Sequence, residues 1–244
     1  MRFFVFSWRK FLKSMSVNLG VFGAVAIVFC ATYFGGANYI NQASTNSVVA
    51  YYNGNKTKQN VSVMINVYWG TEHLNQMLES LGKHNAKATF FVGGSWVTKN
   101  KDILKKIHEA GHEIGNHGYL HKDSKAISAT VLTEEITKTH NIVKEVLGVN
   151  MTLFAPPSGS YSKTTLSVAD GLGYKTIMWS KDTIDWRDSD ENLVYSRATT
   201  NLAGGDFVLM HPTAHTAKAL DRILSYYSDS GFKSVSVTDN LKGV

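Results

Sequence analysis

Three observations predict an α/β fold, a distorted (β/α) barrel. Seven apolar runs of strand length alternate with segments of helical period from Val61 to the C-terminus, the pattern of repeated strand and helix units around a parallel sheet. Polar residues fall at the C-terminal ends of those runs, where parallel barrels assemble their sites. The chain has 244 residues, 43% hydrophobic and 18% charged, enough for one sizeable core. An open doubly wound sheet uses the same units, but their number over this length favours the barrel.

The strand candidates, in order, are 61–69, 87–92, 112–116, 152–155, 175–179, 206–210 and 234–237. Between them apolar residues recur at three and four. Leu74, Met77, Leu78 and Leu81 mark one helix, and Ile103, Leu104 and Ile107 mark the next. A longer helix follows, carrying Val131, Leu132, Ile136, Val143 and Leu147. Gly111, Gly148, Gly173 and Gly231 stand where several of these helices must end.

Ahead of the domain, residues 17–34 carry no charge and make a run near the minimum of about 18 residues that crosses a bilayer as a helix. Arg2, Arg9, Lys10 and Lys13 precede it, which places the N-terminus in the cytoplasm and sends the rest across the membrane. The expected organisation is a basic cytoplasmic segment 1–14, a transmembrane signal-anchor 15–36, a linker 37–59 rich in Asn, Ser, Thr and Gly, and a domain 60–244. The protein is then single-pass in the cell membrane with its domain on the extracytoplasmic side. A cleaved signal peptide ending at Gly35-Gly36-Ala37 is the competing reading and makes the protein secreted. The one cysteine, Cys30, excludes an intramolecular disulfide.

The formal net charge of +6 suits an anionic partner without choosing one, and part of it belongs to the four N-terminal cations. The domain's cations are scattered along helices without interleaved aromatics, which argues against nucleic acid. Gly93-Gly94-Ser95 and Gly204-Gly205 are loop glycines and do not form a phosphate cradle.

The strand ends carry Asn66, then His117 and His121, then Ala155-Pro156-Pro157, then Asp182 with Asp185-Trp186, and finally His211. Two histidines four apart can offer two imidazoles to one metal, although that spacing alone is a weak signal, and it is not the His-Glu-x-x-His of zinc proteases. His112 is expected to pack into the core, and His215, in the loop after His211, is a lesser candidate for the groove.

These segments resemble the polysaccharide deacetylases of the NodB-homology, carbohydrate esterase 4 type. The resemblance rests on Lys87-Ala88-Thr89-Phe90-Phe91-Val92, on the stretch from Gly111 to His121, on Trp179 to Trp186, and on Leu209-Met210-His211. The anchor, Tyr68-Trp69-Gly70 and Pro156-Pro157-Ser158-Gly159 look most like the PdaB-type sporulation deacetylases. The resemblance implies a NodB-type barrel that removes N-acetyl groups from cell-wall, peptidoglycan-type sugars with a divalent metal of the zinc or cobalt kind. Such a metal lowers the pKa of a bound water and stabilises the developing oxyanion. By resemblance His117 and His121 are metal ligands, His211 is the general acid and Asp182 orients it. Pro156, Pro157, Ser158, Asp185 and Trp186 then line the substrate, with the Ser158 amide aimed at the oxyanion and Trp186 walling the groove.

The sequence departs from that pattern at three places. The family's adjacent aspartates, base and third ligand, are Asn66 and Val67, and the arginine that keeps the base ionised is Ala155. The losses are consistent, because a buried arginine left without its carboxylate costs several kcal/mol. Loss of a general base removes about 10²- to 10⁴-fold in rate, and with two protein ligands a metal is held weakly if at all. Two readings stay open: a slow metal-dependent deacetylase, with Glu72 or His73 as substitute base or ligand, and an inactive fold that binds glycan or a partner protein.

Overall fold

The structure, a computed structural model, describes residues 48–244. The expected basic segment 1–14, the expected membrane anchor 15–36 and residues 37–47 of the expected linker lie outside the described residues. Among those described, no helix is long and apolar enough to cross a membrane.

The chain enters through β1 (Ala50–Tyr51) and β2 (Asn60–Val67), then alternates. Helix α1 (Leu74–Lys83) leads to β3 (Ala88–Val92), α2 (Gly94–Lys99), α3 (Lys101–Glu109) and β4 (Glu113–Asn116). Helix α4 (Ala129–Leu147), β5 (Leu153–Phe154), α5 (Lys163–Gly171), β6 (Lys175–Ile177) and β7 (Lys181–Asp182) follow. The chain closes with α6 (Glu191–Thr199), β8 (Phe207–Met210), α7 (Ala214–Asp229), β9 (Lys233–Ser234) and α8 (Val237–Asn240). The ladders are parallel in the order β1-β6-β5-β4-β3-β2-β8-β7, with β9 pairing on β2.

Side-chain alternation along β2 builds two layers of core. Val61, Val63, Ile65 and Val67 face the helices with Phe90, Leu74 and Leu220, all wholly buried. Met64 faces inward with Phe91, Ala155, Ile177 and Phe207, and the same alternation puts Asn66 at the top of that inner column. Helix α4 starts where the Ser128 side chain accepts from the Val131 N–H, and ends at Gly148 with φ 73°, the left-handed stop expected of a glycine there.

The expected barrel is a curled parallel sheet closed without a ladder. No ladder joins β1 to β7, the two ends of the strand path. The chain itself crosses the gap between β6 and β7, with the Met178 N–H donating to Tyr51 O at 2.8 Å and the Ser180 N–H to Phe207 O at 3.1 Å. An antiparallel bridge between Asn53 and Asp206 lies at the same seam.

Residues expected as linker therefore join the domain from Val48 onward. Their pairing uses backbone groups over two-residue stretches, too short for any alternation to show. The last strand candidate, 234–237, also differs. Strand β9 stops at Ser234, and Ser236 accepts from the Asp239 N–H to cap α8, because a serine oxygen offers those amides a partner that a ladder would not.

Candidate functional site

The ends of β2, β4, β5, β7 and β8 surround one cavity of about 320 Å³. Each strand end contributes by a definable local device.

His117 follows β4, and its Nδ1–H donates to the Ala155 carbonyl at 2.7 Å, leaving Nε2 unprotonated. Burial, with His121 nearby, pushes its pKa down to about 3, so the ring is neutral at physiological pH. His121 sits 5.0 Å from it, centroid to centroid, after a loop with two left-handed residues, Gly118 (φ 73°) and His121 itself (φ 55°). Glu135, buried on α4, holds that loop: its Oε2 accepts from the Tyr119 N–H at 2.8 Å and the Leu120 N–H at 2.6 Å. Burial lowers the His121 pKa as well.

His211 follows β8, and here the structure corrects the expected pairing. Its Nδ1–H donates to Asp185 Oδ1 at 2.7 Å, and its backbone N–H to Asp185 Oδ2 at 2.6 Å. The Thr216 hydroxyl gives Oδ2 a second donor at 2.5 Å. Asp185 is thus the orienting carboxylate, its side chain wholly buried, and it does not line the cavity. Asp182 lies on the cavity wall, with Oδ1 accepting from the Ile184 N–H at 2.8 Å. Ile184 adopts φ 53°, and this left-handed turn separates the two aspartates. His215 stands behind the site, its Nε2–H donating to the Asp185 carbonyl at 2.7 Å.

The double proline is corrected too. Pro156 and Pro157 are buried and shape a short turn that presents Ser158, which lines the cavity with φ 55°. Trp186, 57% exposed, lines the cavity. Glu72 and His73 stay away from the cavity, Glu72 accepting from the Thr71 N–H at 2.9 Å.

Asn66 and Val67 part company. Asn66 lines the cavity and its Oδ1 is buried with no hydrogen-bond partner among the described residues. Val67 is wholly buried in the helix-facing core. The metal implied by the resemblance does not fit this donor set. His117 and His121 offer two nitrogens, hydrocarbon stands at the third position, and no group of three or more His, Cys, Asp or Glu among the described residues is placed to hold an ion.

Two residues at the site entered the sequence analysis only as the end of a strand candidate and as part of the resemblance, without a role in the site. Tyr68 lies on His121 with ring centroids 4.7 Å apart, and Trp69 stacks on His211 at 5.5 Å and 15°. The turn that carries them is held by the Trp96 indole N–H donating to the Gly70 carbonyl at 2.9 Å. Gly93 lets the Tyr68 ring approach, since a Cβ there would lie 2.5 Å from it.

Comparison with known proteins places this geometry. The sequence profile described as "Polysaccharide deacetylase" matches residues 53–177. The uncharacterized protein YlxY of Bacillus subtilis (strain 168) is 40% identical over 188 residues, 77% of this chain and 59% of that protein. The peptidoglycan-N-acetylglucosamine deacetylase PgdA of Listeria monocytogenes is 34% identical over 168 residues, 68% of this chain and 35% of that protein. The chain thus spans less than two thirds of the first relative's length and about a third of the second's. Among solved structures, a CE4 family pseudoenzyme from Bacillus anthracis superposes with a TM-score of 0.78 at 37% identity, covering 80% of this chain and 69% of that one.

Proposed function

The chain belongs to the polysaccharide deacetylase family, and within it we propose a protein that holds N-acetylated cell-wall glycan in its groove without hydrolysing it. The observation that carries this reading is Asn66, a neutral amide on the cavity wall where family resemblance expects the proton-accepting carboxylate. An amide cannot take a proton from water, and the two imidazoles beside it lack a third ligand. The similarity to a structure described as a pseudoenzyme supports the same reading, and the similarity to PgdA supports peptidoglycan as the class of ligand.

Anchoring through residues 15–36, an extracytoplasmic position and a role in sporulation belong to the proposal as well. They rest on the sequence, and are tested by membrane fractionation and by the cell-wall composition of a deletion strain during sporulation.

For the main reading, the full chain, purified without chelator, is given peptidoglycan and N-acetylglucosamine oligomers with and without zinc or cobalt. The expected result is measurable binding with no acetate above the blank. Metal-dependent acetate release that disappears in His117→Ala overturns it in favour of a slow deacetylase. That second reading draws on one observation, the intact His211 and Asp185 pair beside His117 and His121.

A further inference from the structure

The end of the sheet away from the cavity carries a face of a different character. In a parallel sheet the residues just ahead of the strands share one end, so Val48 and Val49 before β1, Lys56 and Lys58 before β2, and Lys175 opening β6 lie opposite the cavity. Val49, Tyr52, Lys56 and Val244 border one hollow there. The segment is tied to the C-terminal residues. The Asn55 N–H donates to the Asn240 carbonyl at 2.7 Å, and Asn55 Nδ2 and Lys58 Nζ both donate to the Lys242 carbonyl, at 3.1 and 3.3 Å. Val48, Val49 and Tyr52 each stay more than a third exposed, an apolar strip at the point where the chain enters the domain. Lys56, Lys58 and Lys175 are exposed as well, and none takes part in an ion pair among the described residues. Lys175 Nζ lies 5.6 Å from the centre of the Tyr51 ring, next to the strip. Asp239 and Asp206, beside Asn240 and opposite Asn53, offer little counter-charge: the first pairs with Lys242, and the second is buried and accepts from Ser180 and the Ala203 N–H.

Resting on the anchoring reading above, we infer that this face docks on the bilayer surface, with Val48, Val49 and Tyr52 entering the headgroup layer and Lys56, Lys58 and Lys175 meeting anionic lipid headgroups. Apolar contact combined with unpaired cations is what an anionic interface binds, each lysine near the surface contributing about fivefold. The tether selects lipid as the occupant. Residues 37–47 alone separate the expected anchor 15–36 from Val48, and a chain of that length reaches at most about 40 Å. Held that close, the face meets lipid at a high effective concentration, so few contacts suffice. Strand direction adds a consequence: a domain docked by its N-terminal strand ends turns the cavity away from the bilayer.

The test reconstitutes the full chain into vesicles of phosphatidylcholine alone, or of equal parts phosphatidylcholine and phosphatidylglycerol, and reads amide hydrogen exchange. Exchange over residues 48–58 and 240–244 is expected to slow by about fivefold or more in the anionic vesicles only, while residues 117–121 and 184–187 around the cavity exchange alike in both. Lys56→Glu with Lys58→Glu is expected to abolish the difference, and so is about 1 M salt, where the screening length falls to about 3 Å. Lys99→Glu with Lys101→Glu makes the same change of charge on α2 and α3 and is expected to leave the difference intact. Melting temperatures establish that both pairs of variants are folded. A chain that floats with both kinds of vesicle but exchanges alike in them overturns the docked face and leaves the anchor standing. Protection of the cavity loops in place of residues 48–58, or equal loss in the two pairs of variants, overturns it as well. A chain that floats with neither kind overturns the anchor, and this inference with it.

Discussion

The Asp185 carboxylate accepts both the side-chain Nδ1–H and the backbone N–H of His211, at 2.7 and 2.6 Å, and so fixes the ring and the end of β8 together. Asp182, three residues earlier, accepts only the Ile184 amide. The two aspartates therefore differ in what their removal leaves behind. Asp185→Ala strands two donors of His211 and the Thr216 hydroxyl in a buried setting, and is expected to lower unfolding free energy by about 3 to 5 kcal/mol. Asp182→Ala loses one turn hydrogen bond, worth about 0.5 to 1.5 kcal/mol. Urea denaturation of both variants measures the contrast, and equal losses would remove the assignment of Asp185 as the orienting carboxylate.

Acid lability follows from the buried histidines. His112 accepts from the Ala88 N–H, and burial, assisted by Lys87, pushes its pKa down to about 4. The folded state holds this ring neutral while the unfolded chain protonates it near its ordinary value of about 6.5. Between those two values the unfolded state binds more protons, so stability is present above about pH 6.5 and is lost as pH falls toward 4. His117, with its pKa down to about 3, acts in the same direction. Urea midpoints followed from pH 7 to pH 4 are expected to fall, and to fall less steeply in His112→Asn, which keeps an acceptor for Ala88 without a titrating ring. An unchanged slope in that variant would mean that His112 is protonated in the folded state.

What was legible in the sequence divides along a physical line. Residues that announce themselves by type at a strand end, His117, His121, Trp186 and His211, line the cavity. Residues whose role depends on local backbone were not resolvable by pattern. Asp182 and Asp185 sit three apart in one loop, and only the left-handed turn at Ile184 decides which of them meets His211. Pro156 and Pro157 look like wall residues by position, but are buried to hold Ser158. Tyr68 and Trp69 continue an apolar run and read as strand, whereas β2 stops at Val67 and frees both rings to fold over imidazoles. The seam of the sheet was invisible for a related reason. It is made by backbone groups of Tyr51, Asn53, Met178 and Ser180, which leave no signature in side-chain periodicity.

Metal dependence separates this chain from a hydrolytic relative without an activity assay. A bound ion at a hundredfold excess over its Kd adds about 2.7 kcal/mol to stability. With two imidazoles and no third donor, the native chain is expected to melt at the same temperature in zinc and in chelator. Asn66→Asp with Val67→Asp returns both carboxylates. Because Val67 is wholly buried among hydrocarbon, its replacement by a charge is costly until a cation pairs with it. The double variant is expected to melt below native in chelator and to recover with zinc. A zinc-stabilised native chain would show that two histidines suffice here and would return hydrolysis to the leading reading.

Gly93 tests the aromatic cover from outside the cavity. A Cβ at this position would lie 2.5 Å from the Tyr68 ring, closer than packed atoms approach, so Gly93→Ala must push the ring away from its seat on His121. Overpacking of this kind typically costs about 1 to 3 kcal/mol. The displaced turn also carries Trp69, whose indole rests on His211. Gly93→Ala is therefore expected to weaken binding of N-acetylglucosamine oligomers, although residue 93 itself does not line the cavity. A variant that loses stability but binds the oligomers as the native chain does would show that the 68–70 turn is structural and takes no part in holding the sugar.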